Sequence, residues 1–181
     1  MNNQILLKIA HDTIASRFDN SFKIDKEKLK QEYGFLNKKA ATFVTLQLDG
    51  KLRGCVGTLE ASLTLLDDLM INSNNAAFYD SRFYELSYDE FLKTNIEISI
   101  LEEPKLLEYK NKEDLKTKIK PNIHGIVLKD GLKKATFLPQ VWEELNTYEE
   151  FIFYLCKKAN LEDDSLVSHP EIYTYEVKKI K

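Results

Sequence analysis

Ala41-Thr42-Phe43-Val44-Thr45-Leu46-Gln47-Leu48-Asp49-Gly50-Lys51-Leu52-Arg53 reads as a strand, a tight turn and a returning strand. Residues 41–48 are rich in Thr, Val, Phe and Leu, side chains that suit a pleated, half-buried surface. Asp49-Gly50 follows at once, and an Asp-Gly pair tolerates the positive φ angles of the two-residue turn whose twist matches antiparallel strands. The hairpin therefore predicts antiparallel pairing. It also places Arg53-Gly54-Cys55-Val56-Gly57 on, or just past, the returning strand.

Helical spacing of Ile5, Leu6, Ile9, Ile14 and Phe18 predicts an amphipathic N-terminal helix, and Asp25 is placed to cap a second helix over 26–33 that Gly34 ends. Ser62 opens a helix with Leu66, Leu69, Met70 and Ala77 on its apolar stripe, running to about Tyr79, and a short helix over 89–92 leads into a strand over 96–101. A capped helix over 111–119 precedes a second hairpin, 125–128 with 132–138, around Asp130-Gly131. Thr147 and Glu150 have capping-box spacing ahead of a helix over 151–158, and the chain closes in a strand over 172–180. Helices and hairpins without βαβ alternation give an α+β fold with a mixed or mostly antiparallel sheet. One domain over residues 1–181 is expected from the length and from the absence of a linker composition.

The formal net charge is −3 and the pI about 5.7, so no global positive field exists to neutralise nucleic-acid phosphates. Local lysine clusters at 26/28/30, 116/118/120 and 178/179/181 are interleaved with apolar or acidic residues and read as solvated faces. Lys8, His11 and Asp12 interrupt the N-terminal apolar residues, which argues against a signal peptide or membrane span and for a cytoplasmic protein. Cys55 and Cys156 are then expected as thiols. Without CxxC, HExxH, a P-loop or GxGxxG, neither a metal site nor a nucleotide cofactor is expected.

Gly54 and Gly57 spend two of the six glycines within four positions of each other, around Cys55. Such spacing suggests a constrained, exposed turn with close backbone approach. If the segment stays extended, Arg53 and Cys55 project to one face, where a guanidinium favours the nucleophilic thiolate or holds a substrate carboxylate or phosphate. The competing view makes Cys55 a small apolar filler in a tight bulge. His124, ahead of Gly125, would serve the thiol as a base or stand as a hydrogen-bonded structural histidine. Cys156, mid-helix between Leu155 and Lys157, reads as a buried filler.

Leu52-Arg53-Gly54-Cys55-Val56-Gly57-Thr58 resembles the signature of the AMMECR domain family, named for the Alport syndrome and midface hypoplasia chromosomal region. Asn75-Ala76-Ala77-Phe78-Tyr79-Asp80-Ser81-Arg82-Phe83, Ile96-Glu97-Ile98-Ser99-Ile100-Leu101 and Ala135-Thr136-Phe137-Leu138-Pro139-Gln140-Val141-Trp142 are similar to further blocks of that family, in order and spacing. The resemblance implies two unequal lobes, with the cysteine motif and the Asp-x-Arg-Phe block meeting on one surface. Carried over by position, Asp80 and Arg82 join Arg53, Gly54, Cys55 and Gly57 as site candidates, though an acid and an arginine leaving a helix also pair simply to fix a loop. Relatives are associated with a Memo-type, dioxygenase-like protein and a radical-SAM enzyme, which implies those partners. Val56 and Tyr84-Glu85 depart from the family pattern without touching the proposed reactive groups. Three functional expectations follow: a thiol-dependent enzyme acting on an anionic small molecule through Cys55 and Arg53, a non-enzymatic module that uses residues 53–57 for recognition, or an accessory to a radical-SAM system.

Overall fold

A computed structural model of the chain describes residues 2–161 and 165–181. In chain order the helices are α1 (Asn3–Ala15), α2 (Lys26–Glu32), α3 (Leu65–Phe78), α4 (Tyr88–Phe91), α5 (Lys112–Lys118) and α6 (Tyr148–Lys158). The strands are β1 (Ala41–Leu48), β2 (Lys51–Gly57), β3 (Asn95–Leu101), β4 (Lys105–Leu106), β5 (Gly125–Asp130), β6 (Lys133–Phe137), β7 (Glu171–Tyr175) and β8 (Val177–Ile180). They sort into an α+β fold of two unequal compact units, Met1–Leu101 with Lys178–Lys181, and Glu102–Val177. No helix among the described residues is long and apolar enough to cross a membrane.

The first unit holds a four-stranded sheet in the order β2-β1-β3-β8. Asp49 (φ 52°) and Gly50 (φ 74°) both take the left-handed conformation, as a two-residue turn between twisted strands requires. Leu66 and Leu69 of α3 bury against Val44 and Leu46 of β1 and Ile98 of β3, and Leu6 and Ile14 of α1 complete the same core. Burying each such side chain contributes roughly 1.5–3 kcal/mol. The helix α3 starts at Thr64, whose hydroxyl accepts from Asp67 N, and not at Ser62 as the sequence suggested. Either hydroxyl residue satisfies an N-cap, but Leu65 and Leu66 are fully buried, and that packing sets where the helix begins. Similarly, α2 ends at Tyr33, and Gly34 opens a 3-10 turn, Gly34–Asn37, instead of terminating the helix in a left-handed conformation.

The second unit holds a sheet in the order β4-β7-β5-β6, over a core built on Trp142, Phe151, Leu115, Leu128 and Ile172. Trp142 stacks on Phe151 at 3.7 Å and donates its indole N–H to the carbonyl of His124 at 2.9 Å. Cys156 lies buried in this core. Two expectations change here. Asp130 pairs with Lys133, so the β5–β6 turn is Gly131-Leu132, with φ 59° at Gly131, and not Asp130-Gly131. The expected single C-terminal strand is divided at Glu176 into β7 and β8, which belong to different sheets.

Residues 53–57 are strand throughout, where the glycine spacing had suggested an exposed turn. Neither Gly54 nor Gly57 has positive φ; what they supply is close approach. A Cβ at position 54 would overlap the backbone carbonyl oxygen of Ala76 on α3, and one at 57 would overlap the Phe43 ring and the backbone carbonyl oxygen of Thr42. Gly54→Ala is therefore expected to destabilise the protein by about 3 kcal/mol, since a helix backbone cannot step aside. Gly57→Ala, which meets the Thr42 backbone carbonyl as well as the Phe43 ring, should also destabilise, whereas Gly34→Ala, with nothing within 4 Å of the new methyl, should be neutral or slightly stabilising. Urea midpoints of the three variants check that order.

Candidate functional site

β2 is an edge strand, and at Cys55 its outward-facing peptide is met by side chains. Cys55 N–H donates to Asp80 Oδ2 at 2.8 Å, and Arg82 Nη2 donates to Cys55 C=O at 3.0 Å. Together the acid and the guanidinium occupy the donor and acceptor positions that a further strand would supply. The pair is itself forked: Arg82 Nε reaches Asp80 Oδ1 at 2.9 Å and Nη2 reaches Oδ2 at 2.7 Å. Both residues lie just beyond α3, which ends at Phe78 when Tyr79 N–H closes back onto Asn75 C=O. Asp80 is nearly buried, with 6% of its side chain exposed, whereas Arg82 retains 53%. Hydrogen bonds, from Arg82 first and then from the Cys55 and Arg82 backbone, hold the Asp80 carboxyl well below its ordinary value despite the opposing effect of burial.

Arg53 takes a different course. The β1–β2 register slips between Leu46, opposite Gly54, and Gln47, opposite Leu52, which leaves Arg53 as the extra residue of a bulge. Alternation is thereby interrupted between Arg53 and Cys55, and the expectation of a shared face gives way. The Arg53 guanidinium instead makes a fork with Glu90 of α4, Nε to Oε1 at 2.9 Å and Nη2 to Oε2 at 3.0 Å, and also donates to Glu85 C=O at 3.3 Å. Arg53 draws the Glu90 carboxyl down to about 2, helped by the Ser87 N–H. Phe83 is flanked by the two arginines, its centroid 5.8 Å from Arg53 Cζ and 5.5 Å from Arg82 Cζ.

The Cys55 side chain is half-buried, with Sγ 3.3 Å from the hydroxyl of Thr45, its direct neighbour on β1. Beyond the far end of the strand, Thr58 donates from its hydroxyl to Asp68 Oδ1 at 2.6 Å and from its N–H to Thr42 C=O at 3.0 Å. Asp68, fully buried on α3, also accepts from the Thr42 N–H and hydroxyl and from the Asn72 amide. Four donors on one carboxylate offset the cost of burying it without a cation. The segment is thus tied down at both Cys55 and Thr58.

Residues 7–180 match the family model described as AMMECR1. The chain belongs to the AMMECR1 family. Among its relatives is the Methanosarcina barkeri protein Mbar_A1807, 34% identical over 178 residues that cover 94% of this chain and 85% of that one. The Methanopyrus kandleri protein MK0488 is 32% identical over 96% of this chain and 84% of that one. Among solved structures, the uncharacterized protein PH0010 from Pyrococcus horikoshii superimposes with a TM-score of 0.78 at 26% identity, covering 97% of this chain and 88% of that chain.

In this AMMECR1 protein the residues singled out from sequence divide clearly. Arg53, Gly54, Cys55, Gly57, Asp80 and Arg82 all fall in the first unit, around one strand edge. His124 belongs to the second unit, where its Nδ1 accepts from Lys120 N–H at 3.2 Å and burial lowers its pKa. The departure at Tyr84-Glu85 does touch the site, because the Glu85 carbonyl accepts from Arg53. Sequence reading gave no role to Thr45, Asp68 or Glu90, and took Phe83 only as part of the Asp-x-Arg-Phe block. Only Glu90 carried a local signal, the Ser87-x-x-Glu90 capping box that opens α4. Among the described residues, no group of three or more His, Cys, Asp or Glu could hold a metal ion.

The lowered carboxyls give the fold a particular acid sensitivity. Asp80 and Glu90, with ordinary values of 3.8 and 4.5, contribute stability that is fully present above those values. It is lost as pH falls through the depressed values of the folded state. Asp80→Asn with Glu90→Gln is expected to melt lower than the unaltered protein at pH 7 and to lose less on going from about pH 5 to pH 2. Thermal melts across that range test this; parallel curves for the two proteins would contradict it.

Proposed function

We propose that the first unit carries a thiol-dependent site in which Cys55 is the nucleophile toward a small molecule bearing an acidic group, and that Arg82, not Arg53, receives that group. The observation that carries this reading is the division of labour between the two arginines. Both arginines spend Nε and Nη2 on internal partners, but Arg53 has only 12% of its side chain exposed, so little of it can reach a ligand. Arg82 stands half-exposed at the Cys55 peptide, and its contacts within the unit use Nε and Nη2. A guanidinium has five N–H donors, so Nη1 is left for an anion. The Arg82 pKa is raised, by Asp80 above all and in smaller part by Cys55, so its charge is permanent at any working pH.

A second reading is favoured by the engagement of both carboxylate oxygens of Asp80 and of Glu90 with internal partners, which describes a rigid frame as well as it describes catalysis. On that view residues 53–57 form a recognition surface. The Memo-type and radical-SAM proteins implied by the family resemblance are the partners to try first.

Iodoacetamide separates the two. If Cys55 is an activated thiol, it alkylates at pH 7 roughly tenfold or more faster than a cysteine in an unfolded peptide, a difference worth one pK unit. Arg82→Gln is expected to remove part of that advantage while Arg53→Gln removes less. Equal rates for Cys55 and the peptide would overturn the thiol reading. Tolerance of Cys55→Ser in a pulldown that Gly54→Val abolishes would support the recognition surface.

A further inference from the structure

Cys55, Thr45 and Glu97 form one row across the first unit's sheet, each directly opposite the next in the registers of β2 with β1 and β1 with β3. Residues directly opposite share a face, with Cβ atoms about 5 Å apart. The Thr45 hydroxyl lies 3.3 Å from Cys55 Sγ. We infer that Thr45 is a positioning residue for the thiol, its hydroxyl donating a hydrogen bond to the Cys55 thiolate. The inference rests on the thiol reading above and adds to it the group that touches the sulfur.

Three features support the assignment. First, β1 is paired on both sides, so the Thr45 backbone is held by two ladders, and a β-branched side chain in a strand has few χ1 choices. The hydroxyl therefore needs little ordering to meet the sulfur. Second, the direction of the bond follows from charge state. A thiol is a weak donor and a neutral O–H···S contact is weak, whereas a thiolate accepts from a hydroxyl in a charge-assisted bond about twice as strong as its neutral counterpart. The hydroxyl thus stabilises the ionised sulfur more than the protonated one. Third, the neighbouring charges are accounted for in pairs. Asp80 is forked with Arg82 at the strand edge, Arg53 with Glu90, and Glu97 at the end of the row accepts from Lys181 Nζ at 2.8 Å. With the surrounding charges paired in this way, a neutral hydroxyl on the sulfur has room to matter.

The test is the pH profile of Cys55 alkylation by iodoacetamide in the full-length protein, read by peptide mass spectrometry so that Cys156 does not interfere. Thr45→Val keeps the shape and removes the hydroxyl; Thr45→Ala removes it without placing a methyl against the sulfur. Both are expected to shift the profile to higher pH and to lower the rate at pH 7 roughly tenfold, the scale of one hydrogen bond to a charged group. Thr45→Ser, which keeps a donor, is expected to restore the unaltered profile. A merely structural threonine would alter melting temperature and leave the profile in place. Rapid alkylation in the unaltered protein together with unshifted profiles in Thr45→Val and Thr45→Ala would overturn the role of Thr45 alone. A slow, peptide-like profile in the unaltered protein would instead remove the thiol reading beneath it.

Discussion

At a free sheet edge a peptide group lacks one neighbouring strand, and at Cys55 two side chains supply what is missing. Asp80 accepts the N–H and Arg82 donates to the carbonyl, while the two hold each other in a fork. An unpaired peptide group withdrawn from water costs about 1–3 kcal/mol, so this clamp stabilises the strand and fixes its position against the segment that follows α3. The identities are constrained accordingly. An acid alone would leave the carbonyl unmet, and an arginine alone would leave the N–H unmet.

Other features of the first unit follow from holding that strand close. Gly54 lets β2 lie against the Ala76 carbonyl, and Gly57 makes room for the Phe43 ring on the opposite face. Just past the end of the strand, Thr58 is drawn into the buried Asp68 network, so the stretch is secured by one carboxylate at Cys55 and another three residues on. Between these anchors the sulfur is presented beside the Thr45 hydroxyl. The Phe83 ring lies near both guanidiniums, of which Arg53 pairs with Glu90 and Arg82 with Asp80.

Much of this could be read in the chain. Asp49-Gly50 announced a hairpin because few other pairs tolerate positive φ at both turn positions, and the Thr147–Glu150 and Asn111 caps were legible for equally local reasons. What escaped were contacts decided at a distance. A one-residue bulge at Arg53 leaves no mark in composition, yet it sends the guanidinium to Glu90, thirty-seven residues on. Thr45 resembles any other strand threonine until the register puts it against Cys55. The helix start at Thr64 was settled by burial of Leu65 and Leu66, which no capping rule encodes. Glycine spacing suggested a turn, whereas the glycines at 54 and 57 serve close packing within a strand.

If side chains, in place of a neighbouring strand, close the sheet edge at Cys55, amide hydrogen exchange of that single residue reports it. The Cys55 amide is expected to exchange about as slowly as that of Val44 in the doubly paired strand β1. Exchange at the rate of a solvent-exposed amide, with Val44 still protected, would show that no clamp holds the edge.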